Sequence, residues 1–313
     1  MTGRAGGVAD EPREMSHVLV VGRQGQVARA LSQAPWPSGI RLSCRGREAI
    51  DLADPPAASA AVRGLRPDLV INAAAFTAVD LAESESEAAF AINRDGAGAL
   101  ARACAEIGIP LVHLSTDYVF DGCKSGPYVE QDPVNPLSVY GASKEAGEQA
   151  VRAALPAHLI LRTSWVYAPQ GKNFVLSMLA RATQDSELRI VDDQQGCPTA
   201  AAEIARAIVA ASGRLLAGTG VFGTFHFCGA GSTSWHGFAR AIFDLAGGPQ
   251  PRLKAIPSSE YPTPARRPAN SGLDAGKFHR LYGIAARPWR ESLADCLAEI
   301  AAQRARAMRE TGV

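Results

Sequence analysis

Tyr140 and Lys144, in the stretch Tyr-Gly-Ala-Ser-Lys, stand four residues apart. On a helix that spacing stacks the two side chains on one face. A free phenol titrates near about 10, and a neighbouring ammonium brings that value down by stabilising the phenolate. The pair could then pass a proton to or from an oxygen atom near neutral pH. The same spacing also occurs on ordinary surface helices, so its meaning depends on the elements around it. One supporting group precedes it. The run Ile109-Pro-Leu-Val-His-Leu-Ser115-Thr116 is apolar and ends in two hydroxyls. A hydroxyl from Ser115 or Thr116 beside Tyr140 would orient a ketone oxygen, Lys144 would contact a cofactor ribose, and a nicotinamide would supply hydride.

Such groups converge only if several strands end at one crevice. His17-Val-Leu-Val-Val-Gly22 reads as a buried parallel strand. It runs into Gly22-Arg-Gln-Gly25-Gln-Val-Ala28 and a helical segment. The turn at Gly22 and Gly25 would let the backbone approach a pyrophosphate seated on the helix N-terminus. A second strand, near Ile40–Cys44, leads to Arg45 and Arg47. An acid there would hold a ribose 2′-hydroxyl, whereas arginine attracts a 2′-phosphate, so the expected cofactor is NADPH, with NADH possible. Asp51 follows, placed to bond an adenine amino group. The third strand, Asp68–Asn72, closes on Ala73-Ala74-Ala75, small enough to leave room for a flat cofactor.

Ala82–Ile107 reads as one acid-rich helix, 109–118 as a fourth strand, and His158–Arg162 as a fifth. Ser138 is placed to cap the helix that carries Tyr140. Strands alternating with helices predict an α/β fold: a Rossmann-type doubly wound parallel sheet with a smaller C-terminal substrate-binding lobe. We assign 1–15 to a disordered leader and 16–165 to the dinucleotide-binding domain. The lobe takes most of 166–313, with segments about 171–184 and 200–245 returning to the first domain.

Thirty-two basic against 31 acidic residues give no charge bias, which argues against nucleic acid or an anionic membrane as main partner. No apolar run approaches a membrane span of roughly 20 residues. The six cysteines show no metal spacing and read as reduced thiols of a cytoplasmic enzyme, with Cys104 and Cys228 in the core.

In these motifs the chain resembles the extended short-chain dehydrogenase/reductases, over residues 17 to about 300. Within them it is most similar to the branch that reduces dTDP-4-dehydro-6-deoxy-L-mannose. That similarity is carried by Arg66-Pro-Asp-Leu-Val-Ile-Asn-Ala-Ala-Ala-Phe-Thr-Ala-Val-Asp80, Ser115-Thr-Asp-Tyr-Val-Phe120 and Arg162-Thr-Ser-Trp-Val-Tyr167. Asp193-Gln-Gln-Gly-Cys-Pro-Thr199 and Tyr261-Pro-Thr-Pro-Ala-Arg-Arg-Pro268 add to it. The resemblance implies NADPH-dependent reduction of the sugar's C4 ketone, with Tyr140 as proton donor and Thr116 and Lys144 beside it. It also implies that Gly25-Gln26-Val27, Asp51-Leu52 and Ala75-Phe76-Thr77 line the dinucleotide. Thr116, Asp117, Tyr118 and Trp165 would face a dTDP-sugar, with Trp165 as an apolar platform and Arg266 or Arg267 on the diphosphate.

Where some members carry a metal-binding glutamate this chain has Ala30, and the acid after Ala200-Ala-Ala is displaced to Glu203. No structural metal is therefore expected, and the chain is expected to be a monomer or homodimer. Two other readings were weighed: reduction of another dTDP-4-keto-deoxysugar, and a non-catalytic dinucleotide-binding regulatory subunit. The intact Thr116, Tyr140 and Lys144 argue against the second. A third reading is an epimerase or dehydratase; dehydratases usually set an acid–acid or acid–lysine pair beside the catalytic threonine, and Thr116-Asp117-Tyr118 supplies one acid.

Overall fold

Ser16–Val21 (β1) sends Val18 and Val20 into one apolar layer and Leu19 and Val21 into another, which is why the run is hydrophobic throughout. The computed structural model describes residues 15–310; the leader expected over 1–15 lies outside them apart from Met15. Joining β1 are Ile40–Arg45 (β2), Leu69–Asn72 (β3), Leu111–Thr116 (β4) and His158–Thr163 (β5). Glu187–Val191 (β6) stands apart, and Gly223–His226 (β7) completes a six-stranded sheet, ordered β7-β5-β4-β3-β1-β2. Every pairing in it is parallel. The chain leaves β1 for β2 on one side and returns to β3 on the other. Ligands of such sheets bind at the carboxyl ends beside that reversal, where Gly22 and Ala73 stand.

The longer helices run Gln26–Gln33 (α1), Pro55–Leu65 (α2), Ala97–Ile107 (α3), Val139–Ala154 (α4), Phe174–Arg181 (α5) and Ala201–Leu216 (α6). Trp235–Ala246 (α7), Gly276–Tyr282 (α8) and Trp289–Glu310 (α9) follow. Leu31 of α1, Ile204 and Ile208 of α6 and Phe278 of α8 cover one face of the sheet. Val62 of α2, Leu100 of α3 and Val151 of α4 cover the other. The expected doubly wound α/β architecture is therefore present. All six cysteines are free, with Cys104 and Cys228 buried. No helix among the described residues is long and apolar enough to cross a membrane.

One expectation changes. The segment Ala82–Ile107 is not one helix: short helices at Val79–Ala82 and Ser86–Phe90 precede a π-helical turn, Ala91–Gly96, and only then α3. The wider turn rotates the polar Asn93 inward, to 2% exposure. In the second half, α5 and α7 pack away from the six-stranded sheet. Val175, Met178, Phe238 and Ile242 pack with Leu293 and Leu297 of α9 in a separate core, beside β6 and its parallel partner Arg252–Ile256 (β8). α6 and α8 pack on the sheet, and β7 pairs with β5 at its edge. Periodicity shows that a helix has an apolar face; it does not say which layer covers it.

Where α4 passes the π turn, the two backbones nearly touch. A Cβ at position 147 would lie 2.0 Å from the Asn93 carbonyl oxygen. Backbone cannot yield as a side-chain tip can, so Gly147→Ala is expected to destabilise the protein by about 1–3 kcal/mol. Thermal unfolding measures this, and an unchanged Tm would mean that the contact relaxes freely.

Candidate active site

The crevice begins at Gly22, whose φ of +122° suits glycine and whose added Cβ would meet the Ala73 carbonyl at 3.3 Å. Its N–H donates to the Arg45 carbonyl at 2.7 Å. Helix α1 starts after Gly25 without a side-chain cap, so its first-turn N–H groups are open to an anion. Val27 packs on the α1 layer of the core. The Gln26 amide accepts from Asn173 at 3.0 Å and so ties this turn to the cap of α5. Ala73 and Ala74 pack on opposite layers, Ala75 is half-buried, and Thr77 is exposed. Asn93 accepts from the Phe76 N–H at 2.8 Å and donates to its carbonyl at 3.1 Å.

At the end of β2, Arg45 is half-buried and Arg47 exposed. Asp51 engages both its carboxylate oxygens, one with the Ala53 N–H (2.9 Å) and one with Arg47 (3.1 Å). The Ala53 N–H, with Arg47, holds its pKa below the usual aspartate range against the opposing effect of burial. An adenine amino group would have to share that carboxylate. Leu52, expected to line the dinucleotide, is a core side chain, 3% exposed.

Helix α4 begins on the cap expected from sequence, with the Gly141 N–H donating to Ser138 at 3.2 Å. The choice between two hydroxyls is settled by strand alternation: Ser115 turns inward to Glu148 at 2.5 Å, while Thr116 faces Tyr140. Lys144 Nζ donates to the Leu114 carbonyl at 2.6 Å. Its ammonium does not lower Tyr140 as expected. Burial pushes the phenol up to about 12, opposed only by hydrogen bonding to Thr116, with the Asp117 charge adding to the rise. Burial likewise draws Lys144 down to about 8, against the opposing charge of Glu148.

Next to Thr116, burial raises Asp117 to about 7, although hydrogen bonds from Ser271 and Thr116 oppose it. The Tyr118 ring meets Tyr140 edge-on at 5.8 Å. Trp165 holds a left-handed backbone, φ +45°, a strained position for so bulky a residue. Its indole stacks on Trp235 at 3.5 Å and 4°, and a Cβ at Gly196 would come within 2.3 Å of it. As a sugar platform Trp165 is thus partly covered. Trp235, rather than Trp165, lines a cavity of about 420 Å³ together with Arg181, Arg189, Gln194, Tyr261 and Arg267. Within it Arg267 donates to both oxygens of Asp80, at 3.0 and 2.7 Å, so it is not a free phosphate ligand. A larger groove, about 770 Å³, lies between α1 and α6, and neither Thr116, Tyr140 nor Lys144 lines it.

A family model described as RmlD substrate binding domain matches residues 15–302. The chain belongs to this family. A dTDP-4-dehydrorhamnose reductase of Sinorhizobium fredii is 48% identical over 88% of this chain and 94% of its own length. Among solved structures, a dTDP-4-dehydrorhamnose reductase from Clostridium acetobutylicum has a TM-score of 0.86 at 34% identity. One from Bacillus anthracis, in complex with NADP, has 0.85 at 33%. Each covers 91% of this chain and 99% of its own.

Within the fold of this family, sequence reasoning missed Asn93, Asp80 and Trp235. Asn93 also donates to Ser143 of α4 at 2.9 Å, so it joins the Phe76 loop to the helix of Tyr140. Its signal was a lone amide inside an Ala/Leu-rich helical run. Asp80 and Trp235 had no local signal, because their partners are 187 and 70 residues away in the chain. Glu203, the displaced acid, pairs with Arg206 at 2.7 Å and Arg287 at 3.4 Å.

Asp117 gives this site a pH signature. Its native pKa of about 7 exceeds the ordinary 3.8, so between those values the folded state binds more protons than the unfolded one. Stability from this group falls as pH rises through that window. Asp117→Asn should therefore melt above the wild type at pH 8, with the gap narrowing toward pH 4. A constant gap across that range would contradict the burial argument.

Proposed function

We propose that this chain uses NADPH to reduce the C4 ketone of dTDP-4-dehydro-6-deoxy-L-mannose, giving dTDP-L-rhamnose in the cytoplasm. The observation that carries this reading is the meeting of Thr116 and Tyr140, backed by Lys144, at the crevice beside the open turn of α1. The family membership supports the sugar. Gly22, Gly25, Gln26, Val27 and Ala73–Ala75 would hold the dinucleotide, with its pyrophosphate on the first-turn N–H groups of α1. Phe76 and Thr77 would edge the same site. Arg45 and Arg47 would meet a 2′-phosphate, the feature that favours NADPH over NADH. When bound, the nicotinamide supplies the hydride.

The protein's part is to deliver one proton and hold one oxygen. Tyr140, protonated at neutral pH as a phenol ordinarily is, donates to the C4 oxygen as negative charge develops there. The Thr116 hydroxyl, which donates to Asp117 at 2.9 Å, would turn its hydrogen to the same oxygen and steady the developing charge. Lys144 places its ammonium by the cofactor ribose and Tyr140. Asp117, Tyr118 and the Trp165–Trp235 stack would bound the deoxysugar. Arg267, steered by Asp80, would approach the diphosphate together with Arg181 or Arg189.

The test runs dTDP-L-rhamnose and NADP⁺ in reverse at alkaline pH, following the absorbance of reduced nicotinamide. Tyr140→Phe is expected to lower the rate by about 10²–10⁴. If NADPH binds yet no deoxysugar nucleotide turns over, the catalytic reading falls and a regulatory role takes its place. Arg45→Ala/Arg47→Ala should raise the Kd for NADPH by about tenfold or more and leave NADH unchanged. Equal losses for both cofactors would remove the arginines from the 2′-phosphate site.

A further inference from the structure

Behind the Tyr140–Lys144 face lies a buried charge cluster that the reaction as described does not use. Glu148, one turn after Lys144 on α4, is 0% exposed. It accepts from Ser115 at 2.5 Å and from Arg162 on both oxygens, at 2.8 and 2.7 Å. Arg152 adds a bond at 2.8 Å from one helical turn onward. Arg162 also lies over the Phe120 ring at 5.1 Å. One carboxylate thus joins three elements: the helix that carries Tyr140 and Lys144, the strand that carries Thr116, and β5.

We propose that Glu148 is a positioning residue for the reduction: it turns Ser115 inward so that Thr116 meets Tyr140, and its negative charge keeps Lys144 an ammonium. The kinetic part of this inference rests on the reductase reading above. Burial acts to raise Glu148, but the Arg162 guanidinium, Ser115 and Arg152 outweigh it and hold the carboxyl below its ordinary value, so it is charged at neutral pH. The other charged or titratable groups around Lys144 are His113 and Asp117 from β4 and its end, and Arg162 and His158 from β5. Tyr140, Glu145 and Arg152 share its helix. Arg94 and Asp95 of the π turn pair with each other at the surface. Among these groups, Glu148 is the one whose charge opposes the desolvation of Lys144.

Glu148→Gln keeps the shape and removes the charge, but leaves buried Arg162 with Glu145, at 3.7 Å, as its ionic partner. Glu148→Gln/Arg162→Met serves as the second variant, so that a folding defect in the first decides nothing. The chain holds five lysines, few enough for a ¹³C-lysine NMR titration, with Lys144 assigned by its loss in Lys144→Arg. The Lys144 midpoint, about 8 in the wild type, is expected to fall by about one pH unit in the folded variant. At pH 7.5 that shift alone takes the ammonium fraction from about three quarters to about one quarter, so kcat should fall by about threefold or more while KM for the sugar nucleotide stays within about twofold. A folded variant with an unmoved midpoint, or with unmoved kcat, overturns the proposal. If the wild type itself does not reduce the dTDP-4-ketosugar, the reductase reading fails separately, and the NMR midpoint alone decides the role of Glu148.

Discussion

A helix presents two side chains to a crevice only if it is held in rotation and in height. A slip of one residue along α4 would turn Tyr140 by about 100° and carry it out of the crevice. Two contacts prevent this. The carboxylate of Glu148 binds β4 through Ser115 and β5 through Arg162, and the bare backbone of Gly147 lies against the Asn93 carbonyl. The first is directional and electrostatic, and the second is steric. Together they set Thr116, Tyr140 and Lys144 relative to one another.

Dryness then governs the chemistry. Burial raises Asp117 to about 7 and Tyr140 to about 12, and draws Lys144 down to about 8. In each case it disfavours the charged form. The crevice therefore makes Tyr140 a weaker acid than a free phenol while it stays protonated at neutral pH. Asp117 and Lys144 are left close enough to neutral pH to change state in the working range. A charge on an arriving ligand would act strongly in such surroundings, because little water screens it.

The second lobe supplies what the sheet lacks. Its core of α5, α7 and α9 is separate from the two layers on the sheet. Trp165 and Trp235 stack on that core, and the Asp80–Arg267 pair ties it to the segment after β3. The pair links the segment after β3 to the Pro-rich stretch that holds Arg267, and both residues line the smaller cavity. That link places the cavity between the two parts of the chain.

The strands, the glycine turn, the Ser138 cap and the Tyr140/Lys144 spacing could all be read from the chain. Each depends on neighbours within a few residues: apolar alternation, a φ that suits glycine, a hydroxyl three residues before an open N–H. The resemblance, carried by contiguous motifs, was legible for the same reason. Tertiary structure alone decided which hydroxyl, Ser115 or Thr116, faces Tyr140, because the phase of a strand is set by what packs on each side of it. It decided that burial, not Lys144, governs the Tyr140 phenol, since desolvation is a property of surroundings drawn from the whole fold. It also turned Arg267 onto Asp80, stacked Trp235 over Trp165, and sent α5 and α7 to the second core. Those contacts join residues about 50 or more positions apart, and no local pattern records them.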